Sequence, residues 1–384
     1  MKAFIKTLFG LACGLLAIGN ANAQSHQWKF VTTGEGSTYA IEKDGSLWAW
    51  GWNESGQLGI GGGDTKISVP TKVGTDNNWK SAVAGQSYAF FIKEDGTLWA
   101  AGDNTKGVQG VGDGMGHKIP TQIGTDNNWK SVSVSRFFGH TAIGLKTDGT
   151  LWAWGEGETG ALGLGNYANQ TVPKQIGTDK DWASVTIGDH STLALKTDGT
   201  LWGWGWNNNR TLCNLPSHVK TPTQIGTDHD WVEVFAVSTS AYGIKADGSL
   251  WVWGAADNNV LGLNDEEITK QKTPAKITTI SEKVVFISGY RNGRVVGVGA
   301  NGVATKVYVW GTNEDGALGN GTGVAADNPG GGITFTGVPV QTKLPEGTKI
   351  TQLSSGEAYT IVLTDNGKLY GCCLLYTSPS PRDS

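Results

Sequence analysis

The chain has 384 residues, of which 58 are glycine and 17 are tryptophan, and its formal net charge is −4. This charge excludes the strongly basic surface of proteins that bind nucleic acid or anionic lipid. The glycines follow no Gly-X-Y period, which excludes collagen. Their abundance beside many aromatic residues favours short strands joined by tight turns.

The first 23 residues have the organisation of a secretory signal peptide. Two lysines precede an apolar run at residues 8–18, and residues 21–23 form an A-x-A cleavage pattern. The run is too short for a membrane span. Cys13 keeps a lipoprotein signal open as an alternative. We expect cleavage near Ala23, a secreted, periplasmic or cell-surface location, and no insertion into the membrane.

An eight-residue phrase, written DGTLWGWG in its fullest copy, recurs along the rest of the chain. Its copies begin at Asp44, Asp95, Asp148, Asp198 and Asp247, so they are 49 to 53 residues apart. A fixed period of about 50 residues is typical of a repeat architecture. Each unit reads as four short strands with no helix, and a proline marks the fourth strand as an edge strand.

Two strand-like segments joined by Asp-Gly predict a β-hairpin with a turn in which both central residues have positive φ. The return strand carries two tryptophans two positions apart, so their side chains share one face of the sheet. We predict that these indoles pack between neighbouring sheets and hold the fold together. The tryptophans are Trp48, Trp50, Trp152, Trp154, Trp202, Trp204, Trp251, Trp253 and Trp310.

Four strands per unit at this period predict an all-β fold, a β-propeller in which each repeat is one blade. Within residues 24–371 we count seven units, which open near residues 28, 79, 129, 182, 231, 284 and 350. The sixth unit lacks the Asp-Gly pair and carries a glycine-rich insertion at residues 322–332. The sequence therefore predicts a seven-bladed propeller whose seventh blade is truncated. Because propellers usually close by pairing strands from both termini, we expect this truncation to leave an open edge.

The last residues do not continue the repeat. Reverse-translated, residues 373–383 (CLLYTSPSPRD) resemble a transposon-based sequencing adapter. We expect that residues 372–384 are an artefact without a native domain, at the end of a bacterial, metagenome-derived fragment. On this interpretation the natural chain continues beyond residue 371, and the tail is left out of the fold prediction.

The order of residues in each unit resembles the regulator-of-chromosome-condensation repeat. Residues 188–205, GDHSTLALKTDGTLWGWG, are close to its pattern, and the resemblance covers the chain from Trp28 to Gly371. It implies a seven-bladed propeller, whereas a kelch repeat of similar period would show a Gly-Gly doublet in each blade. The founding member of the family is a nuclear exchange factor for a small GTPase, but no residue here maps onto an exchange surface. Other members resemble secreted bacterial proteins, including inhibitors of β-lactamases.

No motif in the sequence indicates catalysis. The six histidines have no zinc-ligand spacing to Cys, Asp or Glu, and there is no Gly-x-Ser-x-Gly elbow or phosphate loop. The segments GTDNNW and GTDKDW suggest calcium as an alternative, but their few oxygens favour polar side chains that satisfy turn backbones. Cys213 stands where other repeats have glycine, which favours a small loop residue over a reactive thiol. We therefore predict no enzyme activity, no cofactor and no metal.

The loop before the second strand of each unit varies most, and equivalent loops lie on one face of a propeller. Aromatic and arginine side chains are typical binding anchors, so we predict a composite recognition patch on this face. Its candidate residues are Arg136, Phe137, Phe138, His140, His190, Tyr290 and Arg291. The alternative is that a phenylalanine fills the core and that the histidines hold their own loops.

These observations predict a secreted, monomeric, non-enzymatic propeller that binds a protein or a glycan through the loops of one face. One alternative is an inhibitor or regulator of an enzyme or small GTPase, as the exchange factor would imply. Another alternative is a glycan-active enzyme. Exposed tryptophans at the loop tips would favour a glycan, and a continuous apolar patch would favour a protein.

Overall fold

The computed structural model describes residues 16–17, 26–136, 139–255, 260–263, 269–290, 293–312, 335–342, 347–356 and 359–373. These residues form strands and turns, with one short 3₁₀ turn at Thr105–Gly107, so the all-β prediction is confirmed. Among them, no helix is long and apolar enough to cross a membrane. The predictions on Phe137, Phe138, Arg291, residues 322–332 and residues 374–384 lie outside the described residues.

The strands follow the repeats in chain order. A short strand, β1 (Leu16–Ala17), precedes them. The first two repeats contain β2 (Trp28–Thr33), β3 (Ser37–Glu42), β4 (Leu47–Trp52), β5 (Lys66–Lys72), β6 (Trp79–Ala84), β7 (Tyr88–Lys93), β8 (Leu98–Gly102) and β9 (His117–Gln122). The next two contain β10 (Trp129–Val134), β11 (Thr141–Lys146), β12 (Leu151–Gly155), β13 (Gln170–Gln175), β14 (Trp182–Ile187), β15 (Ser191–Lys196), β16 (Leu201–Trp206) and β17 (His218–Ile225). The rest contain β18 (Trp231–Val237), β19 (Ser240–Lys245), β20 (Leu250–Ala255), β21 (Lys270–Lys276), β22 (Val284–Tyr290), β23 (Gly293–Ala300), β24 (Val303–Thr312), β25 (Phe335–Thr342), β26 (Ile350–Ser355), β27 (Tyr359–Thr364) and β28 (Leu369–Cys373).

Each of the first five repeats forms one antiparallel four-stranded sheet in which successive strands are neighbours. The sixth and seventh repeats do not form two separate blades. Their strands and β1 belong to one eight-stranded sheet, because Ala304 of β24 pairs with Ile350 of β26. The described residues therefore form six sheets, and the prediction of seven separate blades is wrong. The cause is the missing Asp-Gly turn, because the hairpin of β23 and β24 extends to the pair Ala300 and Val303 and reaches β26.

The sheets form a closed ring. The first strand of each repeat contacts the first strand of the next, from β2 through β6, β10, β14, β18, β22 and β26, and β26 contacts β2 again. At this closure the backbone N of Trp28 donates to the carbonyl O of Gly367 at 3.0 Å, and the backbone N of Val31 donates to Oε1 of Gln352 at 3.0 Å. Leu16–Ala17, from the predicted signal peptide, pair with β28 and cover part of the edge that we expected to be open.

The repeated Asp-Gly pair joins neighbouring repeats. Gly199 has a φ of 78°, but Asp198 has no positive φ, so the predicted turn type is wrong. Oδ1 of Asp198 accepts hydrogen bonds from Thr200 N at 3.0 Å and Thr200 Oγ1 at 2.6 Å, and these bonds lower the pKa of the carboxyl group. The carbonyl O of Gly199 accepts a bond from Trp231 N of the next repeat at 3.3 Å. A Cβ at Gly199 would lie 2.2 Å from the carbonyl O of His229, so this joint requires glycine.

The second tryptophan of the repeated pair lies in the core between sheets. In four repeats it is fully buried, and its Nε1 donates to a backbone carbonyl of the preceding repeat at 2.7–2.8 Å. These residues are Trp154, Trp204, Trp253 and Trp310. The first tryptophan is half-buried, and its Nε1 donates to a hydroxyl two residues earlier. These residues are Trp48, Trp152, Trp202 and Trp251, and Trp50 is half-buried as well. The octapeptide is therefore scaffold.

Candidate functional site

Successive strands of each sheet are antiparallel, so the loops that join them lie alternately at two opposite ends of the sheet. One end carries the Asp-Gly turns, and we call it the turn face. The other end carries the loops between first and second strands and the loops that follow the third strands, and we call it the loop face. Of the predicted recognition residues, Arg136, His140, His190 and Tyr290 lie in the described part of the chain, and their backbones belong to the loop face.

His140 lies on the loop face between two carboxylates of neighbouring repeats. Its Nε2 is 3.4 Å from Oδ2 of Asp103, and its Nδ1 is 4.0 Å from Oε2 of Glu156. The backbone N of His140 also donates to Oε2 of Glu156 at 3.3 Å. The side chains of the histidine, the aspartate and the glutamate are 29%, 27% and 19% exposed, so a partner can reach them. We call these three residues the histidine cluster.

A buried tyrosine supports the histidine cluster from below. The Tyr88 hydroxyl donates to the carbonyl O of Ser135 at 2.8 Å, at the start of the loop that ends in His140. The rings of Tyr88 and His140 have centroids 6.2 Å apart. Burial raises the pKa of Tyr88, so the hydroxyl keeps its proton and remains a donor. One repeat thus fixes the loop of the next.

The two carboxylates of the histidine cluster were missed in the sequence. Asp103 and Glu156 each follow the glycine that ends the third strand of their repeat. The corresponding residues in the first and fourth repeats are Trp52 and Trp206. The available signal was this single position of the repeat, at which the residue changes from one unit to the next while the glycine directly before it stays constant.

His190 has a different environment. Its ring packs edge-to-face against Trp206 with centroids 5.4 Å apart. The neighbouring Asp189 accepts a hydrogen bond from the Ser238 hydroxyl at 2.7 Å, which ties this loop to the next repeat. In the described part of the chain, no hydrogen bond, ion pair or ring contact joins His140 to His190. The two histidines therefore do not share one cluster, and the contacts of His190 are those of a residue that holds its own loop.

Arg136 does not extend outward from its loop. Its Nη1 donates to the carbonyl O of Ser355 at 3.5 Å, and its guanidinium lies 6.0 Å from the ring centroid of Phe235. These partners belong to β26 and β18, neither of which is a ring neighbour of β10, so the arginine reaches across the middle of the ring. Tyr290 ends β22 and pairs with Gly293, and its side chain is outside the description.

In the described part of the chain two aromatic residues of the loop face are exposed: Tyr167, which is 44% exposed in the loop after β12, and Trp52. The side chain of Trp52 is 43% exposed and stacks over Gly36, where an added Cβ would lie 2.5 Å from the indole. Three other exposed apolar residues, Val69, Ile119 and Val172, lie on the fourth strands directly before a proline. The exposed apolar side chains of the fourth strands are therefore separated from Trp52 along the blade.

The aspartates of the recurrent GTD segments hold lysines. Lys146 lies between the rings of Trp129 and Trp152, at 4.7 and 3.9 Å from their centroids, and its Nζ is 2.7 Å from Oδ2 of Asp126. The same arrangement recurs at Lys93, Lys196 and Lys245, and we call these four sites the lysine sandwiches. These carboxylates thus bind ammonium groups rather than only turn backbones. No group of three or more His, Cys, Asp or Glu side chains in the described ranges could hold a metal.

Cys213 is buried in the loop after β16. Its φ is 54°, and its carbonyl O accepts a hydrogen bond from Nδ2 of Asn207 at 3.1 Å. Burial raises the pKa of the thiol to about 12, so the thiolate that would react is not formed near neutral pH. These properties are those of a small structural residue.

Comparison with known proteins identifies the family. The model of the regulator of chromosome condensation (RCC1) repeat matches residues 44–92, 148–195, 247–291 and 306–363, and a second model of this repeat matches residues 28–57 and 182–210. The chain belongs to the RCC1-repeat family. The matched segments include the four fully buried tryptophans described above and four of the five Asp-Gly pairs.

Curated relatives share part of this RCC1-repeat chain. The ultraviolet-B receptor UVR8 of Arabidopsis thaliana is 30% identical over 150 residues, 38% of this chain and 34% of that protein. The human X-linked retinitis pigmentosa GTPase regulator is 28% identical over 148 residues, 38% of this chain and 14% of that protein. The chain thus spans about a third or less of the length of these relatives.

Solved structures show the same fold. Human WBSCR16 has a TM-score of 0.73 at 18% identity and covers 92% of this chain and 87% of its own. Yeast RCC1 (Prp20), solved with Kap60, has a TM-score of 0.73 at 18% identity and covers 96% of this chain and 88% of its own. At this level of identity the structures show the RCC1 propeller fold and nothing more specific.

Proposed function

We propose that this protein is a secreted, non-enzymatic RCC1-repeat propeller that holds a protein partner against its loop face. The observation that carries the proposal is the histidine cluster. Asp103, His140 and Glu156 are partly exposed, have polar groups that can form hydrogen bonds, and belong neither to the tryptophan core nor to the lysine sandwiches. Half-exposed polar groups held on a rigid scaffold are suited to recognition.

A protein partner is favoured by the names of the relatives. One relative is called a GTPase regulator, yeast RCC1 was solved with Kap60, and another study of Prp20p concerns its binding to Gsp1p and histones. Regulation of an enzyme or small GTPase is a specific form of the same proposal. Secretion rests on residues 1–23, and the absence of catalysis rests on the missing motifs of the sequence.

A glycan is the second candidate, and Trp52 favours it. A flat, exposed indole over a glycine offers a stacking surface for a sugar ring. The two candidates use different residues of the loop face. Binding of a protein partner should depend on the histidine cluster, whereas binding of a glycan should depend on Trp52.

The experiment compares partner capture by four proteins. The four proteins are wild type, His140→Ala, Trp52→Ala and the turn-face control Lys130→Ala. Each is immobilised, incubated with material from the native surroundings of the protein, and crosslinked to the partner that it captures. We expect Lys130→Ala to retain the captured partner and His140→Ala to lose it by about tenfold or more. If only Trp52→Ala loses the captured partner, the result favours a glycan over a protein partner. Equal capture by all four proteins would refute the loop-face proposal, provided that each variant melts like wild type.

A further inference from the structure

A cleft of about 420 Å³ lies on the turn face between the fourth and fifth repeats. Its lining includes Ala183 and Asp198 from the fourth repeat and Trp231, Val232 and Ala246 from the fifth. The loop face is at the opposite end of these sheets, so the cleft is separate from the histidine cluster.

Comparison of the repeats explains why the cleft exists. The residue after the opening tryptophan is a lysine in each of the first three repeats and Ala183 in the fourth. Between the first two repeats, Nζ of this lysine, Lys29, is 3.2 Å from Oε1 of Glu94. Glu94 follows Lys93, and the equivalent residue of the fifth repeat, after Lys245, is Ala246. The fourth and fifth repeats thus have two alanines where the first two have an ion pair, and both alanines line the cleft.

The walls of the cleft combine apolar side chains with the carboxylates of Asp198 and Asp230, the ammonium group of Lys196 and the imidazole of His229. Val232, which is 59% exposed, supplies the accessible apolar surface together with Ala183 and Ala246, since Trp231 itself is buried. The ammonium group of Lys196, which also lines the cleft, is held by two aspartates at 2.8 and 3.2 Å. Among the described residues, no cation forms an ion pair with Asp198. Hydrogen bonds from Thr200 lower the pKa of Asp198, so its charge is present at neutral pH.

We propose that this cleft binds a basic side chain, lysine or arginine, of a protein partner. The methylene stem packs against Val232 beside Ala183 and Ala246, and the cationic group pairs with Asp198. Between the fourth and fifth repeats, the partner's side chain then takes the position that the Lys29–Glu94 ion pair has between the first two repeats. Long cationic side chains are suited to such a position, because the stem is apolar and the head stays partly in water. The proposal goes beyond the loop-face function and does not depend on it.

The experiment follows the Val232 methyl signals by NMR during titration with the peptide Gly-Gly-Lys-Gly-Gly. We expect a saturable shift with wild type and no saturable shift with the same peptide acetylated at Nζ. The matched variant Ala183→Lys/Ala246→Glu installs the ion pair of the first two repeats and should weaken binding by about tenfold or more. Asp198→Asn should weaken binding several-fold, and His140→Ala on the loop face should leave it unchanged.

Three results would overturn the proposal. Equal binding of the acetylated peptide would exclude recognition of the cation. Unchanged binding by the matched variant and by Asp198→Asn would show that the peptide binds elsewhere. Tighter binding of pentane-1,5-diamine than of the peptide would assign the cleft to a free amine instead of a protein side chain. If the double variant does not fold, Asp198→Asn alone decides the outcome.

Discussion

Replacement of Trp204 by phenylalanine tests whether the repeated octapeptide is scaffold. Trp204 is fully buried, and its Nε1 donates to the carbonyl O of Ala161 at 2.8 Å. The variant loses this buried hydrogen bond, which contributes about 1 kcal/mol. The carbonyl keeps a second donor, the Thr192 hydroxyl at 2.9 Å, so no unpaired acceptor adds to the cost. The space left by the smaller ring adds about 1–2 kcal/mol, and we expect a total loss of about 2–3 kcal/mol.

The matched control is Trp202→Phe, two residues earlier on the same strand. Trp202 is half-buried, and its Nε1 donates to the Thr200 hydroxyl at 2.9 Å near the surface. We expect this variant to lose less than about 1 kcal/mol, because water replaces the lost bond. Urea unfolding of both variants, followed by circular dichroism, gives the comparison. An equal loss in the two variants, or a larger loss in Trp202→Phe, would refute the proposed division between core and surface indoles.

Three further variants test the environment of single residues. Burial raises the pKa of the Glu233 carboxyl group to about 7, so the folded protein holds this proton more tightly than the unfolded chain does. The resulting contribution to stability is fully present below about pH 4.5 and is lost as the pH rises through about 7. Glu233→Gln should therefore raise stability at pH 8 by up to about 3 kcal/mol and change little at pH 4; equal urea midpoints at pH 8 would contradict this. Gly199→Ala should cost about 2 kcal/mol or more, because its Cβ meets the carbonyl O of His229 at 2.2 Å. Gly226→Ala, with a φ of 68° and no atom within 4 Å, should cost only about 1 kcal/mol, and a smaller loss at Gly199 than at Gly226 would be contrary to the account.

The sequence predicted the parts of the fold that each repeat determines for itself. The period of the Asp-Gly pairs and the alternation of the tryptophans follow from local geometry, so the hairpins could be placed. The joining of the last two blades could not be predicted. It depends on how far the hairpin of β23 and β24 extends without its Asp-Gly turn, which brings Ala304 beside Ile350.

The candidate site was predicted only in part, because contacts between repeats decide it. His140 was identified from its loop, but Asp103 belongs to the preceding repeat and becomes its neighbour only when the sheets stack. Arg136 was expected at the surface, and nothing local to its loop indicates that it reaches Ser355 across the ring. The lysine sandwiches could have been found, since a lysine precedes the Asp-Gly pair by two residues in four repeats.

The closed ring is the claim on which the other conclusions depend, and a disulfide tests it directly. The hydroxyl oxygens of Thr33 in β2 and Ser354 in β26 are 2.9 Å apart, although the residues lie at opposite ends of the repeat array. In a Thr33→Cys/Ser354→Cys variant, mild oxidation should link the two positions in nearly every molecule and raise the urea midpoint. If the two cysteines stay reduced in folded protein, or link only between molecules, the first and last repeats do not meet and the account is contradicted.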